Sequence, residues 1–349
     1  MAFLKQHQVN TAPALERCKS FTFDVNQQAE SLRQWEQRYN QHSNGTFSGY
    51  LDELTLGGVH FFEEFTNRTL QQQCCVKHDN LWLGFSLQTQ RPKINNNIVA
   101  AGQIMTRPSG IEFELITPPD FHIYGLVINK HSLDSEMIGA DYDLWQNTSS
   151  HLQMSKPSSY VSYELAKLIS LLLGNSNSPI GSTQLLKDAA PERLASLTPL
   201  ITSKVADLLM QTEYQQHDIS ISQQTTRRVI TEITKHIEDT GEYPLTITEL
   251  CKIANISRRA LQYCFEQGFG VSPIQYIRGC RLNEIRRILL KEGNQNSIAD
   301  LALNFGFFHI STFNAHYKEL FGETPTQTIQ RADHYHHPLI SQPSLSISK

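Results

Sequence analysis

Two stretches in the last third of the chain decide the fold: Glu249–Pro273, ELCKIANISRRALQYCFEQGFGVSP, and Ile298–Pro325, IADLALNFGFFHISTFNAHYKELFGETP. They are two copies of one pattern. Leu250-Cys251 is followed four residues later by Asn255, then by Leu261, Phe265, Gly270 and Pro273. Leu301-Ala302 is followed at the same distance by Gly306, then by Phe313, Tyr317, Gly322 and Pro325. The offset is 51 residues up to the turn and 52 beyond it, so one residue is added after the turn. Self-similarity at a fixed spacing marks a supersecondary unit used twice.

Each copy reads as helix, turn, helix. Thr246 with Glu249, and Ser297 with Asp300, supply an N-cap and a carboxylate three residues on. Cys251 and Ala302 are small enough for a second helix to cross closely, and Asn255 and Gly306 tolerate the left-handed backbone of a tight turn. The second helices are expected near residues 257–267 and 310–320. Leu261, Cys264 and Phe265 point inward in one; Phe313, Tyr317, Leu320 and Phe321 do so in the other. At 100° per residue the outward faces carry Arg259, Gln262, Tyr263 and Glu266, and Ser311, Asn314, Ala315 and Lys318. Between the copies Pro273 is placed to open a long helix through Lys291 bearing Arg278, Arg281, Arg286 and Arg287.

A net charge of −4 and a pI near 6.4 argue, as sums, against a nucleic-acid binder. The distribution reverses that. From Lys252 to Lys291 eight basic residues face only Glu266 and Glu284, a local balance of +6.

The block Arg227–Arg331 resembles the DNA-binding domain of AraC/XylS transcriptional regulators, on the two quoted signatures. The resemblance implies two subdomains whose second helices enter adjacent major grooves of promoter DNA, with RNA polymerase as a further partner. Carried onto this chain, the DNA-contacting set is Arg258, Arg259, Gln262, Tyr263, Arg278 and Arg281, then His309, Ser311, Thr312, Asn314 and Lys318. Many members carry a basic residue where Tyr263 and Ala315 stand, which moves base reading here toward Arg259 and Gln262. RRALQ, GFFHIS and TRPSGIEFELITPPDF are also similar to the group of ethanolamine-utilisation operon regulators. That narrower likeness implies ethanolamine as the effector and adenosylcobalamin as a cofactor.

The first half reads as strands. Ile111, Phe113 and Leu115 alternate with Glu112 and Glu114, and Leu81, Leu83, Phe85 and Leu87 keep the same period. Further strands are expected near 46–56, 58–66, 69–77, 98–105 and 121–128, with breaks at Gly57-Gly58, Asp79-Asn80, Pro108–Gly110 and Pro118-Pro119. A helix carrying Leu32, Trp35 and Tyr39 precedes them. Helices over 160–173 and 197–209 follow. The expected fold class is an α+β N-terminal domain with a cupin-like, β-barrel-like core plus helices, then an all-α double helix-turn-helix domain. Boundaries fall at 1–212 for an effector-binding or dimerisation domain, 213–226 for a polar linker, 227–331 for the DNA-binding domain and 332–349 for a flexible tail. Phe61, Glu63, Trp82 and Glu112 are the candidate pocket residues, since aromatics and carboxylates suit a small amine.

No apolar run nears the ~20 residues of a membrane helix, the N-terminus lacks a signal-peptide core, and six cysteines form no CxxC pair. A cytoplasmic protein, possible as a homodimer and without a membrane partner, is expected. An enzyme is the competing class, because the first half could be a metal cupin. His60, His78 and His122 are isolated, the tail histidines His334, His336 and His337 sit in a polar stretch, and no GxSxG, P-loop or GxGxxG follows a strand. The adjacent Cys74 and Cys75 should point to opposite faces. The chain is therefore read as a ligand-responsive activator of a metabolic operon, with no catalytic or metal-ligating residue. A cupin-like enzyme with an appended DNA-binding domain is the alternative.

Overall fold

The computed structural model describes residues 15–56, 58–77, 79–134, 153–155, 159–173, 191–210, 214–215, 221–240, 242–243, 246–293 and 297–336. They fall into two compact units: residues 1–39 with 47–220, and residues 40–46 with 221–349.

The first unit is rich in sheet. In chain order it holds β1 (Leu15–Thr22), α1 (Val25–Ser31), β2 (Trp35–Gln41), β3 (Gly49–Leu56), β4 (Val59–Thr66), β5 (Leu70–Val76) and β6 (Asn80–Phe85). Then come β7 (Lys93–Ile94), β8 (Asn97–Ile98), β9 (Met105–Pro108), β10 (Phe113–Thr117), β11 (Phe121–Asn129) and α2 (Lys130–Asp134). β12 (Gln153–Ser155), α3 (Ser159–Leu173), α4 (Pro191–Met210) and β13 (Tyr214–Gln215) complete it. One sheet has the order β1-β3-β4-β11-β6-β9-β12-β13 and the other β2-β5-β10-β7-β8. The paired strands run antiparallel.

Alternation along the strands builds two cores. Phe62, Trp82, Val127, Leu51 and Phe121 of the large sheet meet Trp35, Val76, Ile94, Phe113 and Leu115 of the small one. Residues one position along, such as Leu54, Phe61, Leu83, Phe85 and Leu126, turn to the other face and are covered by Val161, Leu165 and Ile169 of α3 and Val205 of α4. Gly125 stands opposite both Phe62 and Gly84 in the register. A Cβ on Gly84 would fall inside the Trp82 indole, and one on Gly125 inside the Phe62 ring. The two glycines let those rings lie across the strands.

Three expectations are corrected here. The sheets are two separate antiparallel layers, and no strand pair among the described residues joins them into a barrel. Strand alternation looks the same in a sandwich and a barrel; only edge-to-edge pairing separates them. The stretch holding Trp35 and Tyr39 is strand β2, because a spacing of four keeps residues on one face in both periods. The preceding helix is α1, capped by the Asp24 side chain on the N–H groups of Asn26 and Gln27. The expected strand 98–105 is instead the end of β8 and the start of β9, with Gly102 at φ 74° between them. Asn95 and Asn96, both at positive φ, make the two-residue turn of the β7–β8 hairpin.

The second unit is helical: α5 (Ile221–Thr240), α6 (Ile247–Ile253), α7 (Arg258–Phe269), α8 (Pro273–Glu292), α9 (Ile298–Asn304), α10 (Ile310–Phe321) and α11 (Pro325–His336). α5 begins six residues before Arg227, inside the stretch read as linker, because Thr226, Val229, Ile230 and Ile233 form a buried stripe. The tail beyond His336 lies outside the described residues. Unit two also takes in Asn40–Thr46, where Gln41 and Asn283 exchange backbone-to-amide hydrogen bonds of 2.9 Å in both directions.

Candidate nucleic-acid interface

The turn chemistry is what the sequence demands. Thr246 and Glu249 close a reciprocal capping box at α6, and Ser297 caps α9 on the Asp300 N–H. Asn255 at φ 48° and Gly306 at φ 76° follow α6 and α9 in the left-handed region. α7 and α10 are each twelve residues long and each ends on a glycine, Gly270 and Gly322, at φ 72°. Ser272 and Gln275 form the capping box of α8 with Pro273 in its first turn.

The inward sides of α7 and α10 are as expected. Leu261, Cys264 and Phe265 are buried in the first, and Phe313, Tyr317, Leu320 and Phe321 in the second. Arg258, Arg259, Tyr263 and Glu266 are exposed on α7, with Gln262 half-buried and its amide donating 2.7 Å to Glu266. The Tyr263 hydroxyl accepts from Ser222 Oγ at 3.2 Å. On α10, Ser311, Thr312, Asn314, Ala315 and Lys318 are exposed, as is His309, whose side chain makes no capping bond. Each helix thus presents one polar face to its surroundings.

The arginines of α8 behave differently. Arg281 is buried, donates 3.1 Å to the Phe305 carbonyl and lies 4.9 Å over the Phe307 ring. Arg286 is buried against Glu323, and Arg287 is shared between Glu284 and Asn40. Arg278 is half-buried with its guanidinium 2.7 Å from His316 Nε2. Burial, and then the Arg278 charge, push His316 down from its ordinary value; the neutral ring can accept from Arg278. Arg281, carried over as a DNA-contacting residue, and Arg286 have their charges used inside the unit. Periodicity alone hid this, since a helix packed on several sides has no single polar stripe.

Residues 250–331 match a family model described as a helix-turn-helix domain. The XylDLEGF operon transcriptional activator 3 of Pseudomonas putida is 35% identical over 100 residues, 28% of this chain and 30% of that one. The probable thc operon regulatory protein of Rhodococcus erythropolis is 25% identical over 148 residues, 40% of this chain and 44% of that one. A solved structure of a probable AraC family transcriptional regulator from Rhodopseudomonas palustris is 29% identical, covering 30% of this chain and 96% of that one, with a TM-score of 0.28. Residues 250–331 are a helix-turn-helix domain. The chain spans about 30% of the length of the first curated relatives it matches.

Outside the helix-turn-helix domain, the four pocket candidates do not converge. Phe61 lies in the core under α3 and α4, while Trp82 lies between the sheets. Glu112 is exposed, and Glu63 is 3.5 Å from His122. Trp82 instead joins Trp35, Phe62 and Phe113, with Trp35–Trp82 ring centres 5.4 Å apart and Trp82–Phe113 stacked at 5.0 Å. The indole N–H groups of Trp35 and Trp82 are buried without a hydrogen-bond partner. A buried carboxylate outside the candidate set is Glu64, which accepts from the Gln28 amide at 2.8 Å and the Tyr39 hydroxyl at 3.3 Å. Burial pushes it up to about 7. His60 is paired with Glu53 at 3.1 Å; His78 lies outside the described residues. Among the described residues no three His, Cys, Asp or Glu side chains gather as a metal site. No helix among them is long and apolar enough to cross a membrane.

Proposed function

We propose that the chain is a transcriptional activator whose helical unit reads promoter DNA with α7 and α10, and whose sheet-rich unit binds a small-molecule effector. The observation that carries it is the pair of matched twelve-residue helices, each with one apolar face buried and one polar face exposed. Arg258, Arg259, Gln262 and Tyr263 read bases or fix the register from α7; His309, Ser311, Thr312, Asn314 and Lys318 do so from α10. With Arg258 and Arg259 at its start, α7 discriminates more sharply than α10.

The effector is assigned to the aromatic cluster around Trp35 and Trp82, on the strength of their two unpartnered indole donors. The resemblance stated above makes ethanolamine, with adenosylcobalamin, the first candidate. RNA polymerase as a partner, a homodimeric state and a cytoplasmic location belong to the same reading. Selection of bound duplexes from a random pool with the full chain, followed by titration with ethanolamine and adenosylcobalamin present and absent, tests it. An enriched sequence supports the DNA reading, and a pool that stays random ends it. By linkage, an effector that favours the bound state shifts DNA affinity by about 5–150-fold.

A further inference from the structure

We infer that the start of the second recognition helix reads thymine methyl groups in the major groove with Ile310, the first residue of α10, and Phe308, two residues before it. This rests on the DNA-binding reading above and adds the chemistry of one half-site to it.

The offset of 52 residues that aligns the two helices puts Ile310 where Arg258 stands, the first residue of each helix, and Ala315 where Tyr263 stands. The start of α7 is therefore a cation, and the start of α10 is a branched hydrocarbon. Phe308 is 69% exposed and Ile310 44%, on either side of His309. The core of this subdomain does not draw on either of them: Leu301, Ala302, Phe313, Tyr317, Leu320 and Phe321 fill it, with Phe307 packed against them. Two large apolar side chains are left outside at the N-terminus of a helix, where polar residues would keep the end hydrated.

The first residues of a recognition helix are the ones that reach base edges. Ile and Phe carry no side-chain donor or acceptor. The apolar group that the major groove offers them is the C5 methyl of thymine. Asn314 lies four residues after Ile310, on the same face and exposed, and asparagine pairs bidentately with adenine. Methyl contact and amide contact on one face together describe recognition of A·T pairs. The apolar pair is continuous with the polar face of α10, which is why DNA is assigned as its occupant and not another protein.

The test uses the full chain and a duplex enriched by the selection described above. Each thymine is replaced singly by deoxyuridine, which removes the methyl and leaves every hydrogen-bonding group in place. The half-site under α7 is located as the one whose preference relaxes in Arg259→Ala, which assigns the other to α10. One or two deoxyuridines under α10 should weaken binding about fourfold each, the value of one buried methyl. In Ile310→Ser or Phe308→Ser the unmodified duplex should bind that much more weakly, and the matching deoxyuridine should then cost nothing further. Both side chains are exposed, so an unchanged thermal midpoint verifies that the variants fold. Specific binding that is indifferent to every deoxyuridine under α10 overturns the inference and leaves the DNA reading standing. So does a deoxyuridine penalty that persists in both variants. If no duplex is bound specifically, the DNA reading fails, and this inference with it.

Discussion

Arg286 and Glu323 meet at 2.6 Å, guanidinium on carboxylate, with the Arg286 side chain 4% exposed. The same carboxylate oxygen of Glu323 accepts from Thr328 Oγ1 at 2.7 Å and from Arg331 at 2.8 Å, and Arg286 lies 4.6 Å over the Phe321 ring. One acidic side chain thus ties α8 to α11 across the end of α10. Glu323→Ala would leave the buried Arg286 charge without its carboxylate, which costs about 3–5 kcal/mol. Urea denaturation of the variant should show a correspondingly lower midpoint, and an unchanged midpoint would contradict this role.

Arg259 and Arg281 should separate cleanly. Arg259→Ala removes an exposed side chain, so stability should change by no more than about 0.5 kcal/mol. DNA affinity should fall by about 1–3 kcal/mol, with relaxed preference at one or two base pairs. Arg281→Ala should do the reverse, lowering the unfolding midpoint through loss of the Phe305 carbonyl bond and the Phe307 contact. Fluorescence anisotropy and chemical denaturation on both variants decide it; matching profiles in the two would refute the distinction.

Asn255 holds φ 48° in the turn after α6. Asn255→Ala should cost about 1–2 kcal/mol, the penalty of a Cβ in the left-handed region without a polar side chain to offset it. Asn255→Gly should be close to neutral. A thermal scan that ranks alanine at or above glycine would show that the turn does not need this conformation.

Glu64 gives the sheet-rich unit a pH dependence. Its folded value, about 7, stands above the ordinary 4.5, so folding takes up a proton. The group contributes stability that is fully present below about 4.5 and is lost as the pH rises through about 7. The loss is on the order of 3 kcal/mol once complete. Glu64→Gln keeps the shape and cannot ionise. Melting curves between pH 4 and 8 should be flatter for the variant than for the parent chain, and parallel curves would remove Glu64 as the cause.

The helical unit was legible because its signals are local. Caps, left-handed turn residues, a proline at a helix start and a 3.6-residue stripe all act within a few positions, and the repeat doubled each of them. The same locality explains the misreadings. Trp35 and Tyr39, four apart, fit a helix or a strand equally well, and the partner strand β5 settled it. Glu64 alternates like Glu112, yet one is buried under Gln28 and Tyr39 and the other is exposed.

By itself the sequence determined two helix-turn-helix copies, their turns, their outward faces and the strand content of the first half, since each follows from backbone preferences and periodicity over short stretches. Only the tertiary structure decided that the strands form two open layers, that Phe61 and Trp82 belong to different cores, and that Arg281 and Arg286 point inward. It alone brought Gln41 to Asn283, 242 residues away. The reason is physical: closure, burial and pairing depend on which surfaces meet across hundreds of residues, and no local pattern of side chains encodes that.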